Sequence, residues 1–290
     1  SLGFDMANNF YVMFAYQSEQ MTDVVFGDKK AELLPVPITT SKYDFTFNVM
    51  PRENDVVIMS IFVNPTQFGP NEDFESYPRD LQRDTMLAES AGVDVVFAPS
   101  VEEMYPTDGG IKLLAGRQAT ILCGASRPGH FDGVIQVVSK LFHLAEPTCA
   151  YFGQKDAQQV AIIETLVRDF NFPLEIRTVP IVREEDGLAK SSRNVYLSEN
   201  DRAEAPHIYE ALQKAKAHFT QTKDVIESLA LAKQHITDNT NGKIDYIEFL
   251  SYPDLAEVKP ETTKFLLAAA VYIGKPRLID NIIFEIEGDN

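Results

Sequence analysis

Tyr151-Phe152-Gly153-Gln154-Lys155-Asp156-Ala157-Gln158-Gln159 joins a short apolar run, Cys149-Ala150-Tyr151-Phe152, to a segment of helical period. Val160, Ile163, Val167 and Phe170 recur on one face of that segment, so the stretch reads as strand, turn and helix start. A strand ending in glycine, a lysine in the turn and a fresh helix N-terminus together make an anion site. The glycine admits a ligand to the backbone, the lysine supplies a point charge, and the unpaired amides favour negative charge. A ligand-free reading stands beside it: Asp156 as N-cap and Gln159 as its N3 partner spell a capping box.

Upstream, Val56-Val57-Ile58-Met59-Ser60-Ile61-Phe62-Val63 has the continuous apolar pattern of a strand buried on both faces of a parallel sheet. It stops in a turn-rich loop, Asn64-Pro65-Thr66-Gln67-Phe68-Gly69-Pro70. Residues 76–90 are expected to form a helix with Leu81, Met86 and Leu87 inward and Gly92 past its end, before a strand over 93–98. Arg127-Pro128-Gly129-His130-Phe131-Asp132-Gly133 then leads into a helix carrying Val134, Val137, Val138, Leu141 and Phe142 at helical spacing. A strand over 174–182 ends the series. Strands alternating with helices in this way predict βαβ units, an α/β fold on a parallel sheet, with ligands beyond the carboxyl ends of the strands. After Arg193 the pattern changes. Helices over 201–219 and 224–237, then strand-like alternation over 243–252 and 263–284, predict a smaller α+β domain. Residues 1–50 lack a clean period: 10–16 are aromatic and apolar, 23–26 are β-like, and Pro35-Val36-Pro37 interrupts any helix.

The 290 residues carry 26 Lys+Arg against 43 Asp+Glu, a formal charge of −17, which lacks the basic footprint needed for nucleic acid or anionic membranes. No apolar run is as long as a membrane span, and the N-terminus has no signal-peptide features. Cys123 and Cys149 have no metal-type spacing and give no disulfide framework, so no metal site is expected and a reduced, cytoplasmic setting is.

Three polar loops fall at strand ends: 64–68, 153–159 and 183–193. In the last, Lys190, Ser191, Ser192 and Arg193 combine two cations with two hydroxyls, a set suited to a triphosphate; a solvated interdomain linker has the same composition. Gln67 can donate and accept, which suits a hydroxylated acid or simply a turn. His130 reads as an anion ligand or a turn former. His143, His207, His218 and His235 fall in predicted helices and read as structural or surface residues.

Taken in order, SIFVNPTQFGPNEDFESYPR (60–79), RPGHFDG (127–133), the stretch 151–159, GLAKSSRN (187–194) and RLIDN (277–281) resemble the pantoate–β-alanine ligase (pantothenate synthetase) family of the nucleotidylyltransferase superfamily. The resemblance covers residues 52–290. It implies a Rossmann-like nucleotide- and pantoate-binding domain over 1–188, a C-terminal lid domain over 189–290, and a homodimer. It also implies an ATP-dependent ligase using Mg2+. Pantoate attacks the α-phosphate of ATP to give pantoyl adenylate and pyrophosphate, and the β-alanine amine then displaces AMP. Carried over by motif, Gln67 and Gln159 hold pantoate, with Arg127 and His130 on the substrate side. Gly153, Gln154, Lys155, Asp156 and Val182 bind the nucleotide. Lys190, Ser191, Ser192 and Arg193 close over the triphosphate, with Lys155, Lys190 and Arg193 as the catalytic cations. One signature is missing: an H-x-G-H pair upstream of Asp55 that stabilises the adenylation transition state. No histidine precedes His130. The alternatives are a binding-only relative that retains ATP or pantoate but lacks adenylation, and a ligase for another acid.

Overall fold

The computed structural model describes residues 12–17, 25–26, 29–30, 55–69, 74, 79–107 and 109–286. β1 (Val12–Gln17) stands in the main sheet, while β2 (Val25–Phe26) and β3 (Lys29–Lys30) form a separate hairpin. β4 (Asp55–Ser60) pairs in parallel with β5 (Val95–Phe97), and β6 (Cys149–Gly153) with β7 (Glu175–Val179). The five strands lie in the order β5-β4-β1-β6-β7. The parallel pairing expected from the sequence thus holds for the four strands read there. β1 runs antiparallel to both its neighbours, β4 and β6, and so joins the two pairs through a reversed central strand. Residues 33–45, with Pro35 and Pro37, lie outside the described residues.

α1 (Leu81–Ser90) starts at Asp80, whose carboxylate accepts from the Arg83 amide at 3.1 Å, later than the spacing predicted. Ala88 sets its buried face against Val57 and Met59. Met86 lies on the opposite side, and both Met86 and Leu81 are half exposed rather than inward. α2 (Val101–Met104) and α3 (Cys123–Ser126) are single turns. α4 (His130–Ala145) buries Val134, Val137, Val138, Leu141 and Phe142, as its period requires. α5 (Ala157–Asp169) buries Val160 and Ile163, but Phe170 caps the helix and is exposed, because the helix stops before its face returns to the core.

The C-terminal third is α+β, as expected. α6 (Glu199–Glu204) and α7 (His207–Thr222) divide at Pro206, which has no N–H for the helical ladder. With α8 (Val225–Asn239) they cover an antiparallel sheet of β8 (Lys243–Ser251), β9 (Lys264–Tyr272) and β10 (Arg277–Glu285), ordered β10-β9-β8. β9 is buried on both faces. Phe265, Leu267, Ala269 and Val271 join the core under α7 and α8, while Leu266 and Ala268 pack with Leu122, Ala157 and Ala161 of the N-terminal unit. The period-2 alternation of a strand therefore sends one residue set to each core.

Phe219 of α7 is the centre of the C-terminal core, with the Phe249, Phe265 and Phe284 rings at centroid distances of 4.4, 5.0 and 6.3 Å. Phe219→Ala is expected to cost about 3–5 kcal/mol in urea unfolding, because the three remaining rings cannot collapse into the space it leaves. A loss below about 1 kcal/mol would mean this cluster is not what holds α7 to the sheet.

Candidate active site

A cavity of about 320 Å3 lies between the loops that follow β4 and β6 and the inner face of the C-terminal sheet. Its first wall is built on Asn64, which is buried. The Asn64 amide donates to Gln67 Oε1 at 3.1 Å and to the Gly133 carbonyl at 3.1 Å, and its Oδ1 accepts from the Tyr105 hydroxyl at 2.8 Å. The bond from Asn64 to Oε1 orients the Gln67 amide, whose N–H2 remains a donor for a ligand. Gly133 allows this wall to form. A Cβ there would meet the Thr66 carbonyl and lie 2.6 Å from the Gln67 amide nitrogen, both backbone atoms that cannot yield cheaply.

His130 begins α4, just after Gly129, whose φ of +81° is glycine's natural region. Arg127 Nη1, which can only donate, lies 3.2 Å from His130 Nε2, and the Gln67 carbonyl, which can only accept, lies 2.9 Å from Nδ1. The two contacts match a ring that donates from Nδ1 to the Gln67 carbonyl and accepts at Nε2 from Arg127. The ring shapes the turn and lines the cavity at once.

The second wall is the stretch 153–159. Gly153 has an ordinary extended backbone (φ −71°), and a 3-10 turn, Gln154–Asp156, precedes α5. Asp156 takes the N-cap position, yet its carboxylate accepts no cap hydrogen bond. The capping box does not form. Asp156 and Gln159 both line the cavity beside Lys155. Asn281 of β10 holds this turn from across the seam: its amide donates to the Gln154 carbonyl at 2.9 Å and to the Lys155 carbonyl at 3.0 Å.

Gln67, Gln159, Arg127, His130, Gly153, Lys155, Asp156, Ser191 and Arg193 are thus brought to one cavity. Gln154, Val182 and Lys190 are not in its lining. Gln154 turns its amide to Asn281 Oδ1 at 3.3 Å. Lys190 lies 3.9 Å from a Glu184 carboxylate oxygen, and its amide donates to the Val182 carbonyl at 2.9 Å, so Val182 and Lys190 share a backbone contact behind the loop. Ser192 begins the 3-10 turn Ser192–Tyr196, and Ser191 caps it through the Arg193 amide at 3.3 Å. Arg127, Lys155, Arg193 and Arg277 face the cavity against Asp156 and Asp280, a locally positive pocket in an acidic chain.

The C-terminal sheet supplies what motif spacing missed. Arg277 pairs with Asp245 at 2.7 Å, and its Nη1 donates to Cys123 Sγ at 3.4 Å. The Tyr246 hydroxyl lies 3.4 Å from the same sulfur, and burial pushes the Tyr246 phenol far up, so it stays protonated. A register shift between Ile244 and Tyr246 aims Tyr246 inward while Ile244 and Ile247 both keep to the helix side. No local pattern marks Cys123, Tyr246 and Arg277 as neighbours. RLIDN was visible as a block, but not as the residues that hold Gln154 and Lys155.

A family model described as pantoate-beta-alanine ligase matches residues 47–283. A pantothenate synthetase of Lysinibacillus sphaericus (strain C3-41) is 75% identical over 235 residues, 81% of this chain and 83% of its own. That of Bacillus subtilis (strain 168) is 54% identical over 235 residues, 81% and 82% of the two chains. A crystal structure of pantothenate synthetase from Thermus thermophilus aligns with a TM-score of 0.74 at 44% identity, covering 79% of this chain and 84% of that one. A pantoate-beta-alanine ligase from Francisella tularensis, complexed with beta-gamma ATP and beta-alanine, aligns at 0.61 and 39% identity, covering 80% of each.

Arg183 fixes the seam behind the cavity. It makes a bidentate pair with Asp280 (2.6 and 2.9 Å) and stacks on the Tyr209 ring at 3.5 Å. Burial pushes the Asp280 carboxyl up, and the guanidinium pulls against it. Arg183→Ala strands that carboxylate, so a loss of about 3–5 kcal/mol in chemical unfolding is expected. A change within about 0.5 kcal/mol would show that the pair does not hold the seam.

Proposed function

The chain belongs to the pantoate–β-alanine ligase family, and we infer that this cavity condenses pantoate with β-alanine at the expense of ATP. A pantoate carboxylate oxygen bonds to the α-phosphorus as the bond to pyrophosphate breaks. The β-alanine nitrogen then bonds to the acyl carbon, AMP leaves, and the nitrogen gives up a proton. Both nucleophiles belong to substrates, so the protein's task is to position them and neutralise charge. The observation that carries this reading is that one cavity is lined by Gln67 and Gln159 as well as by Lys155, Ser191 and Arg193.

On that reading Gln67 and Gln159 hold the pantoate hydroxyl and carboxylate region, with Arg127 and His130 shaping that end. Gly153, Lys155 and Asp156 hold the nucleotide. Ser191 and Arg193, with Ser192, close on the triphosphate, and Lys155 and Arg193 stabilise the charge that grows at phosphorus. Lys190, Val182 and Gln154 support the loops from behind the lining. Residues 189–290 act as the lid expected of them, docked here through β9 and β10, against the Rossmann-like unit of 1–188. The donor set suits Mg2+ arriving with ATP. Asp156 is an available oxygen donor while Asp280 is committed to Arg183, and Mg2+ is held by few carboxylates plus phosphates and water. When bound, the ion shields phosphate charge.

A homodimer and a cytoplasmic location rest on family membership. Among the described residues no helix is long and apolar enough to cross a membrane. A binding-only relative is the weaker reading, since a relative at 75% identity carries the pantothenate synthetase name. The missing H-x-G-H nevertheless makes turnover the measurement that matters.

Pyrophosphate release with ATP, pantoate and Mg2+ is expected well above the pantoate-free background. Nucleotide binding without release would identify a binding-only protein. Lys155→Ala is expected to lower turnover by about 10²–10³-fold, as for loss of one preorganised charge donor. Wild-type turnover in that variant would reduce the stretch 153–159 to a structural turn.

A further inference from the structure

A second constellation of chemistry-bearing side chains lies away from the cavity, where α7 meets α8. His207 and Glu210 stand three residues apart on α7, and His235 reaches them from α8. His207 Nδ1 is 2.8 Å and His235 Nε2 is 3.1 Å from the same Glu210 carboxylate oxygen, and the two imidazole centroids are 5.3 Å apart. We propose that His207, Glu210 and His235 form a binding site for one divalent transition-metal ion of the zinc type.

The three ligand atoms all lie within 4.8 Å of one another. An ion with bonds of about 2.0–2.2 Å needs them about 3.4 Å apart, so ordinary side-chain adjustment converts the cluster into a coordination sphere. The helices hold the ligands in place: Ala211 and Leu212 of α7 and Ala232 and Ile236 of α8 are buried beside them. Two imidazoles and one carboxylate suit zinc, nickel or copper rather than magnesium or calcium. The His207 side chain is 29% exposed and that of Glu210 46%, so water can complete the shell. Burial and the nearby Lys214 cation lower the His235 pKa.

Lys214 gives the site a built-in competitor. Its Nζ lies 2.8 Å from His235 Nδ1, with the Asn239 amide nitrogen 3.2 Å away. Facing a cation, Nδ1 accepts, and the proton sits on Nε2, directed at Glu210. Metal on Nε2 requires that proton to move to Nδ1, so Lys214 must swing away, which its exposed, flexible stem permits. The ion would link α7 to α8. No residue of either helix lines the cavity, so the readout is affinity and thermal stability rather than turnover.

The protein is stripped with a chelator and titrated with Zn2+ alone by calorimetry and thermal unfolding. One equivalent should bind saturably and raise the unfolding midpoint. His207→Ala, at a partly exposed position and checked by circular dichroism, should weaken binding on the order of 100-fold, and Glu210→Gln likewise. Lys214→Ala should tighten it by up to about tenfold, because one competing hydrogen bond no longer has to be broken. The site would be overturned by no saturable binding, by unchanged affinity in His207→Ala, or by loss of binding in Cys123→Ser, which would assign the ion to a thiol. Equal or weaker binding by Lys214→Ala would overturn it as well.

Discussion

The burial of β9 on both faces is the constraint on which the rest depends. An antiparallel strand usually leaves one face wet. Here one residue set packs under α7 and α8, and Leu266 and Ala268 pack against Ala157 and Ala161 at the start of α5. Because α5 begins within the stretch 153–159, at Ala157, the same contact that joins the two units positions Lys155, Asp156 and Gln159. Arg183 with Asp280, and Asn281 with two carbonyls of the 154–155 turn, add directional bonds to this apolar seam. Packing brings the units together; the polar contacts fix their register.

The candidate site shows how side chains with a structural explanation can also face a ligand. His130 is locked between Arg127 and the Gln67 carbonyl, and Asn64 ties Gln67 to α4. Such bonds fix the orientation of Gln67 and His130 where they line the cavity, and that is how preorganised sites are built. Asp156 shows the reverse. It stands where a capping carboxylate would be expected, makes no cap bond, and is left for other work.

Much of this was legible in the sequence because the relevant signals are local. The runs at 56–63 and 149–152 announced buried strands, the period of Val134 to Phe142 announced α4, and Gln67, Gln159, Lys155 and Arg193 of three strand-end loops converged on one cavity, although Gln154 and Lys190 did not. What escaped notice depends on distant partners. Tyr246 reaches the cavity through a register shift, Arg277 meets a cysteine 154 positions away, and Asn281 bonds to a turn more than a hundred residues upstream. Leu81 and Met86 misled because amphipathic spacing fixes a stripe but not which neighbour turns it inward; Ala88 decided that. The reversal of β1 followed from no pattern in residues 10–16.

The Asn281 clamp bears on how substrates enter. If residues 189–290 lifted as one rigid cap, β10 would have to release both carbonyls and the Arg183–Asp280 pair while β9 exposed Leu266 and Ala268. That is several bonds and an apolar seam broken at every turnover. The chain offers an easier route in the short turn at Ser192–Tyr196, whose Val195 and Tyr196 already face solvent. An opening confined to that turn would carry Arg193 outward while the Asn281 bonds to the Gln154 and Lys155 carbonyls stayed in place.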